Sequence, residues 1–223
     1  ASGGTVTAAV LAGRSPIRQC TELYNGTTWS ESGDLIVGRY TNQGTGAQNA
    51  FVTWAGRGPV PAPNTKQSLT EEFNGSTWSA GGTVITSVSW GHAAGTQNAA
   101  LSAGGYTPSI VGCVEEYDGT TWSAGGSLII ARYGGAGSGT QNAGMVAAGY
   151  FAPVRSTCTE EYNGTSWSTG GTGMRTGVSE AIGAGSQDSS IIMGGYGGSP
   201  AAYQSTSDHY DGYLPVSASF GKV

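Results

Sequence analysis

Charge is scarce in this chain. Asp, Glu, Lys and Arg together make up 10% of its 223 residues, and the balance is acidic, with a net charge of −5 and a pI near 4.9. That leaves no basic footprint for duplex nucleic acid or an anionic membrane surface. No apolar run approaches the ~20 residues of a spanning helix, so no membrane insertion is expected. The chain opens Ala1-Ser2-Gly3-Gly4 without an initiator Met or a signal-peptide pattern, which fits a processed form or a fragment.

Metal-binding side chains are equally sparse. The two histidines, His92 and His209, fall in different parts of the chain, and no His-x-x-x-His or Cys-x-x-Cys spacing occurs. Neither a metal site nor a cofactor is expected. His92 reads as a hydrogen-bonded or channel-facing residue. The three cysteines, Cys20, Cys113 and Cys158, each stand four residues before a recurring aromatic. Equivalent positions in different repeats lie too far apart for a bridge, which needs Cα atoms within about 7 Å. They read as small buried hydrophobes.

What the chain has instead is glycine, 40 residues of it, and a repeat. Glu115-Glu116-Tyr117-Asp118-Gly119-Thr120-Thr121-Trp122-Ser123 returns around Glu22, Tyr24 and Trp29, around Glu71, Phe73 and Trp78, and around Glu160, Tyr162 and Trp167. A worn copy runs Asp208-His209-Tyr210-Asp211-Gly212-Tyr213. The period is about 45 residues, as expected of propeller blades.

Each unit has four parts. A Gly/Ala/Ser-rich segment comes first, and a Gln-Asn corner (Gln-Asp in the last copy) leads to an apolar strand ending in small residues. The Glu-x-aromatic strand follows. An Asn-Gly or Asp-Gly corner, which accepts positive φ, then turns the chain into the strand that begins at Trp. The expected fold is therefore all-β: a five-bladed β-propeller of four-stranded antiparallel blades, forming one domain over 1–223. The blades fall at 35–83, 84–127, 128–172 and 173–213, with the first built from 1–34 plus 214–223. The small first segments suit the crowded centre of a ring. Because Ala8 to Gly13 matches a second strand, the missing innermost strand is expected from the C-terminal tail, Val216 to Gly221, closing the ring by pairing the two chain ends.

This order of signals, Gly104-Gly105, then Tyr117-Asp118, then Trp122, resembles the kelch repeat. Departures are Ala-Gly for Gly-Gly in some copies, Tyr213 in place of the last Trp, and the first-strand Arg of the repeat present only at Arg39 and Arg132. The Glu-Glu-Tyr-Asn-Gly-Thr-x-Trp-Ser flavour looks like kelch-like proteins of marine bacteriophages and ocean metagenomes. The resemblance implies a five-bladed propeller of virion or extracellular origin without catalytic activity. The chain's histidines cannot supply the pair that a kelch-propeller copper oxidase would need.

No chemistry-bearing constellation stands out. There is no Gly-x-Ser-x-Gly elbow and no phosphate-binding loop. Glu22, Glu71, Glu115, Glu160 and Asp208 recur in every unit, so they read as structural acceptors for the neighbouring blade or its Arg. A glycosidase pair would be built once. Glu31, Asp34, Glu180 and Asp188 stand outside that pattern and form no obvious pair. The Asn-Gly-Thr and Asn-Gly-Ser triplets at Asn25, Asn74 and Asn163 fit the glycosylation pattern, but each sits where the hairpin needs Asn-Gly anyway.

Variation is concentrated in the loops between the second and third strands of each unit, which carry Pro, Tyr and most of the basic residues. Loops on a rigid scaffold are where recognition concentrates. Arg14, Arg18, Arg57, Tyr106, Tyr150, Phe151, Arg155 and Tyr196 are the expected binding residues, and a glycan or a protein surface the expected partner. The other readings are a structural subunit assembling with itself or within a virion and, behind it, a glycoside hydrolase or lyase.

Overall fold

The computed structural model describes residues 1–59, 65–171, 173–198 and 200–211. The described residues form no helix; they make a series of antiparallel sheets, each an up-and-down meander. Sheet one is Ser2–Thr5, Ala8–Ala12, Thr21–Tyr24 and Trp29–Ser32. Sheet two is Gln43–Ala47, Ala50–Trp54, Thr70–Phe73 and Trp78–Ala80. Sheet three is His92–Thr96, Ala99–Tyr106, Ile110–Tyr117 and Trp122–Gly125. Sheet four is Ala136–Gly139, Gly144–Ala147, Thr159–Tyr162 and Trp167–Thr169, and sheet five has three described strands, Ile182–Gly185, Ser189–Met193 and Ser207–Asp211.

The first strands of successive sheets lie side by side, and all five line one cavity of about 470 Å³. Crowding there explains their composition. A Cβ on Gly3 would sit 2.6 Å from the Gly46 carbonyl oxygen, and one on Gly137 would sit 2.4 Å from that of Ala93. The innermost strand of sheet one is Ser2–Thr5, which pairs with Ala8–Ala12. This corrects the expectation that the C-terminal tail supplies it. Ser-Gly-Gly-Thr has no apolar residue to mark a strand and is recognisable only by its place beside Gly46 and Phe51. Val216 to Gly221 lies outside the described residues.

The repeated residues join one sheet to the next. Glu71 accepts hydrogen bonds from the backbone N–H of Ile36 (2.6 Å) and Val37 (3.1 Å) and is ion-paired with Arg39. Glu160 does the same with Ile129 (2.7 Å), Ile130 (3.1 Å) and Arg132. Glu115 takes Ile85 and Thr86 at 2.8 and 2.7 Å but has no Arg, because Val88 stands where Arg39 and Arg132 do. The second acid of each pair accepts from the next sheet's aromatic: Tyr117 Oη donates to Glu72 at 2.6 Å, and Tyr162 and Tyr210 donate to Glu116 and Glu161. Partial burial and these carboxylates push the Tyr162 and Tyr210 phenols up to about 12. Where the acid is missing the hydroxyl is missing too: Leu23 of sheet one packs in the apolar cluster that holds Phe73 of sheet two.

Two further links were not anticipated. The corner glutamines reach back across the sheet boundary, Gln97 Nε2 to the carbonyls of Phe51 (3.2 Å) and Phe73 (2.9 Å), Gln141 to Ala100 (3.0 Å) and Tyr117 (2.7 Å). The tryptophan indoles donate to a threonine of the preceding sheet, Trp78 to Thr21 and Trp122 to Thr70, each at 2.9 Å. Trp167 meets Val114 in that position, and its Nε1 has no partner among the described residues. Each corner Asn or Asp folds onto its own turn; Asn25 Oδ1 accepts from the N–H of Thr27 and Thr28 at 2.9 Å, as a turn residue should.

Sheet one departs from this pattern on its outer face. Trp78, Trp122 and Trp167 are 8–9% exposed, whereas Trp29 is 52% exposed and touches the ring of its own Tyr24 at 5.1 Å. Glu22 is half-buried and makes no hydrogen bond among the described residues. Inter-sheet roles expected of Glu22 and Trp29 are therefore not seen, because no described sheet covers that face. Sheet five leaves a matching face open. Ile191 is 45% exposed, although its equivalents Val10, Val52, Leu101 and Met145 are at most 2% exposed. The cysteines are also more open than expected: Cys20 and Cys113 are half-buried and Cys158 is exposed, because they lie toward the loop ends of their sheets. All three are free thiols.

Candidate functional site

At the end of the second strand the backbone kinks through a positive-φ pair in sheets two to five, Ala55-Gly56, Gly104-Gly105, Ala148-Gly149 and Gly194-Gly195, and through Gly13 alone in sheet one. The small residues that end these strands are what permit the kink. Beyond it the loop continues as a short hairpin: Arg57–Gly58 with Thr65–Lys66, Tyr150–Phe151 with Val154–Arg155, and Tyr196–Gly197 with Ala202–Tyr203. In sheet three the two long strands run on to pair Tyr106 with Ile110. Each hairpin then bridges the connection that leads into its own sheet, through Tyr40 with Arg57, Ser89 with Tyr106, Tyr133 with Tyr150, and Ser179 with Tyr196. These two sets of loops thus share one end of the molecule.

That bridging brings aromatic rings from several sheets into contact. Tyr106 lies 6.3 Å from Trp90 and 5.6 Å from Tyr133, and Trp90 lies 5.9 Å from Tyr133. Tyr133 touches Tyr150 at 5.4 Å, and Tyr196 touches Tyr203 at 5.2 Å. Cations bind the belt together. Arg57 lies 5.0 Å over Trp90, Lys66 lies 5.4 Å over Tyr106, and Arg155 spans Tyr150 (5.8 Å) and Tyr196 (4.6 Å). Apart from the exposed Tyr203, the rings are half-buried, so each keeps surface toward solvent. Partial burial raises the Tyr133 phenol, with Tyr150 and Tyr106 adding to the effect.

Of the residues expected to bind, Arg57, Tyr106, Tyr150, Arg155 and Tyr196 come together in this belt. Phe151 shares the Tyr150 hairpin but makes no ring contact among the described residues. Arg14 and Arg18 are exposed and stay outside it; Arg18 lines a separate hollow with Ile17, Ile36, Val37 and Pro59. Trp90 and Tyr133, the centre of the belt, were missed. They stand in the connections before the innermost strands, where their repeat equivalents are Thr41, Gly134 and Glu180 for Trp90, and Tyr40, Ser89 and Ser179 for Tyr133. A shared end with the variable loops was the available signal.

No group of three or more His, Cys, Asp or Glu side chains capable of holding a metal occurs among the described residues. His92 is fully engaged: its Nδ1–H donates to the Ala103 carbonyl at 2.7 Å, and Nε2 accepts from the Gly135 N–H at 2.9 Å, tying sheet three to sheet four. Desolvation is the main cause that lowers its pKa to about 4, so it stays neutral where a free His would protonate. The unfolded chain then binds the extra proton between pH 6.5 and about 4. Stability from this group is complete above pH 6.5 and falls by about 3 kcal/mol as the pH drops to about 4. Urea midpoints at pH 7 and pH 4.5 are expected to differ more in the parent than in His92→Gln; equal shifts would refute this assignment.

The chain matches no protein-family model and no curated protein.

Proposed function

We propose that the protein is a non-enzymatic binding module whose aromatic belt grips a glycan on an extracellular or virion surface. The observation that carries this reading is the continuity of the belt: rings from connections and hairpins of three sheets, interleaved with cations, on one rigid end. Flat half-exposed rings suit the apolar faces of sugars, and Tyr, Trp and Arg are the residue types that dominate recognition hot spots. In this reading the five sheets are blades of a kelch-like propeller. Support for that comes from the five innermost strands around one cavity and from the sheet-to-sheet links that recur with the sequence repeat.

The test is a glycan array probed with the parent and with the double variant Trp90→Ala/Tyr133→Ala. Two lost ring contacts, at about 0.5–1.5 kcal/mol each, correspond to roughly 5- to 150-fold weaker binding. Thermal unfolding in parallel separates this from misfolding. Unchanged array binding by a folded double variant rules the belt out as the site.

A second reading, self-assembly, is favoured by the uncovered faces bearing Leu11 and Trp29 on sheet one and Ile182, Ile191 and Met193 on sheet five. If these two faces close on each other within one chain, light scattering gives a monomer. If they join different chains, it gives closed or open oligomers.

A further inference from the structure

Most of the acids in this protein are already committed. All fourteen acids lie among the described residues. Glu71 and Glu160 hold buried arginines, and Glu115 caps backbone N–H groups. Glu72, Glu116 and Glu161 take tyrosine hydroxyls, and Asp118 is folded into its own turn. Asp208 pairs with Arg175 at 3.3 Å. The cations divide differently. Arg39, Arg132 and Arg175 have acid partners, whereas Arg14, Arg18, Arg57, Lys66 and Arg155 form no ion pair among the described residues. All five stand at the loop end.

Arg57 and Lys66 are the sharpest case. They are directly opposed in their hairpin, a placement that sets two like charges side by side. Arg57 and desolvation both lower the Lys66 pKa, with desolvation the larger cause. Arg57 Nε is shielded from solvent and has no hydrogen-bond partner among the described residues. The sequence between the two cations, 60–64, contains no acid to neutralise them. Their head groups lie over Trp90 and Tyr106, which hold them at the ring surface. Glu180 is a carboxylate close to the belt: its Oε2 lies 3.5 Å from the Tyr203 hydroxyl, and its charge adds to the rise of the Tyr133 phenol.

The geometry points to an acidic saccharide as the ligand, with a sugar ring on Trp90 and Tyr106 and its carboxylate or sulfate between Arg57 and Lys66. This rests on the belt being the glycan-binding face. An anion there would relieve the repulsion between the two cations and satisfy Arg57 Nε through a charge-assisted hydrogen bond. A neutral sugar's hydroxyl can accept from Nε but leaves the repulsion in place.

Titration of the intact chain with oligogalacturonate, dextran sulfate, neutral dextran and poly-glutamate, followed by calorimetry at low and high salt, tests this. Oligogalacturonate or dextran sulfate is expected to bind at least tenfold tighter than dextran and to weaken with salt; whichever is tighter identifies the anion. Arg57→Gln and Lys66→Gln should each abolish most of that preference, with thermal unfolding showing that each variant remains folded. Arg57→Lys, which keeps the charge but not the fork, provides a second variant should Arg57→Gln fail to fold. Equal affinity for dextran and the acidic saccharides overturns the inference and leaves the belt reading intact. Poly-glutamate binding as tightly as oligogalacturonate overturns the sugar assignment. Acidic binding unaffected by either substitution places the anion elsewhere and overturns the site. No binding to any saccharide here or on the array overturns the belt reading itself.

Discussion

Glu160→Ala is expected to destabilise the protein by about 3–5 kcal/mol, because it strands a fully buried guanidinium. Arg132 has no solvent exposure, and besides Glu160 its partners are neutral: the carbonyls of Ile130, Ala148 and Cys158 and the Ser156 hydroxyl. Those dipoles solvate the cation in part, but only the carboxylate neutralises it. The same substitution frees the N–H groups of Ile129 and Ile130. Glu115→Ala is expected to cost less, about 1–3 kcal/mol, since it releases two N–H groups and no buried charge. The ordering Glu160 above Glu115 in urea denaturation checks the account. Replacing both members of the pair, Arg132→Met with Glu160→Leu, should recover most of the loss, as apolar replacements of buried ion pairs often do.

The second large effect contrasts two residues that occupy one position of the repeat. Trp122→Ala should cost about 3–5 kcal/mol, and Trp29→Ala less than about 1 kcal/mol. Trp122 is buried, stacks on Tyr117 at 4.9 Å, touches Trp54 at 5.0 Å and donates to Thr70. Among the described residues Trp29 makes its ring contact with its own Tyr24, and it is half exposed. Equal melting-temperature losses for the two variants would mean that another surface covers Trp29 in solution. That surface would be sheet five or a second copy, which the light-scattering measurement separates.

Much of the architecture was legible because each unit spells its strands in the same order. The Asn-Gly corners, the small residues after the second strands and the Glu-x-aromatic strands all form as read. Glu71, Glu115 and Glu160 serve as inter-sheet acceptors, and the Glu71–Arg39 and Glu160–Arg132 pairs follow from the position of the two arginines. The innermost strand of sheet one was not legible. Ser2–Thr5 is held by its neighbours, with no hydrophobic pattern of its own, so its place went to a tail segment that looked more strand-like. Trp29 misled for the opposite reason: its motif is intact, but the neighbouring face that would cover it is not described. The matched loss of acid and hydroxyl at Leu23 and Phe73 could be understood only once the two were seen in one apolar cluster.

The candidate site divides along similar lines. Tyr106, Tyr150, Arg155 and Tyr196 were readable because they punctuate variable loops of otherwise constant units. Trp90 and Tyr133 were not, since they sit inside glycine-rich runs whose equivalents in other units include Thr, Gly, Ser and Glu. Only the backbone bridges that tie each hairpin to the connection before it bring the two sets of rings together. Arg14 and Arg18 carry the same loop signal but belong to sheet one, whose loop between the second and third strands contains no aromatic residue, so they fall outside the belt.

The most direct measurement of the central claim is fluorine NMR of the protein labelled with 5-fluorotryptophan. Its six tryptophans serve as separate reporters. Titration with the tightest-binding saccharide from the array should shift the Trp90 resonance, leaving those of Trp54, Trp78, Trp122 and Trp167, which are buried between sheets, and of Trp29 in place. Saturation binding that leaves Trp90 unmoved, or that moves Trp29 instead, would contradict it.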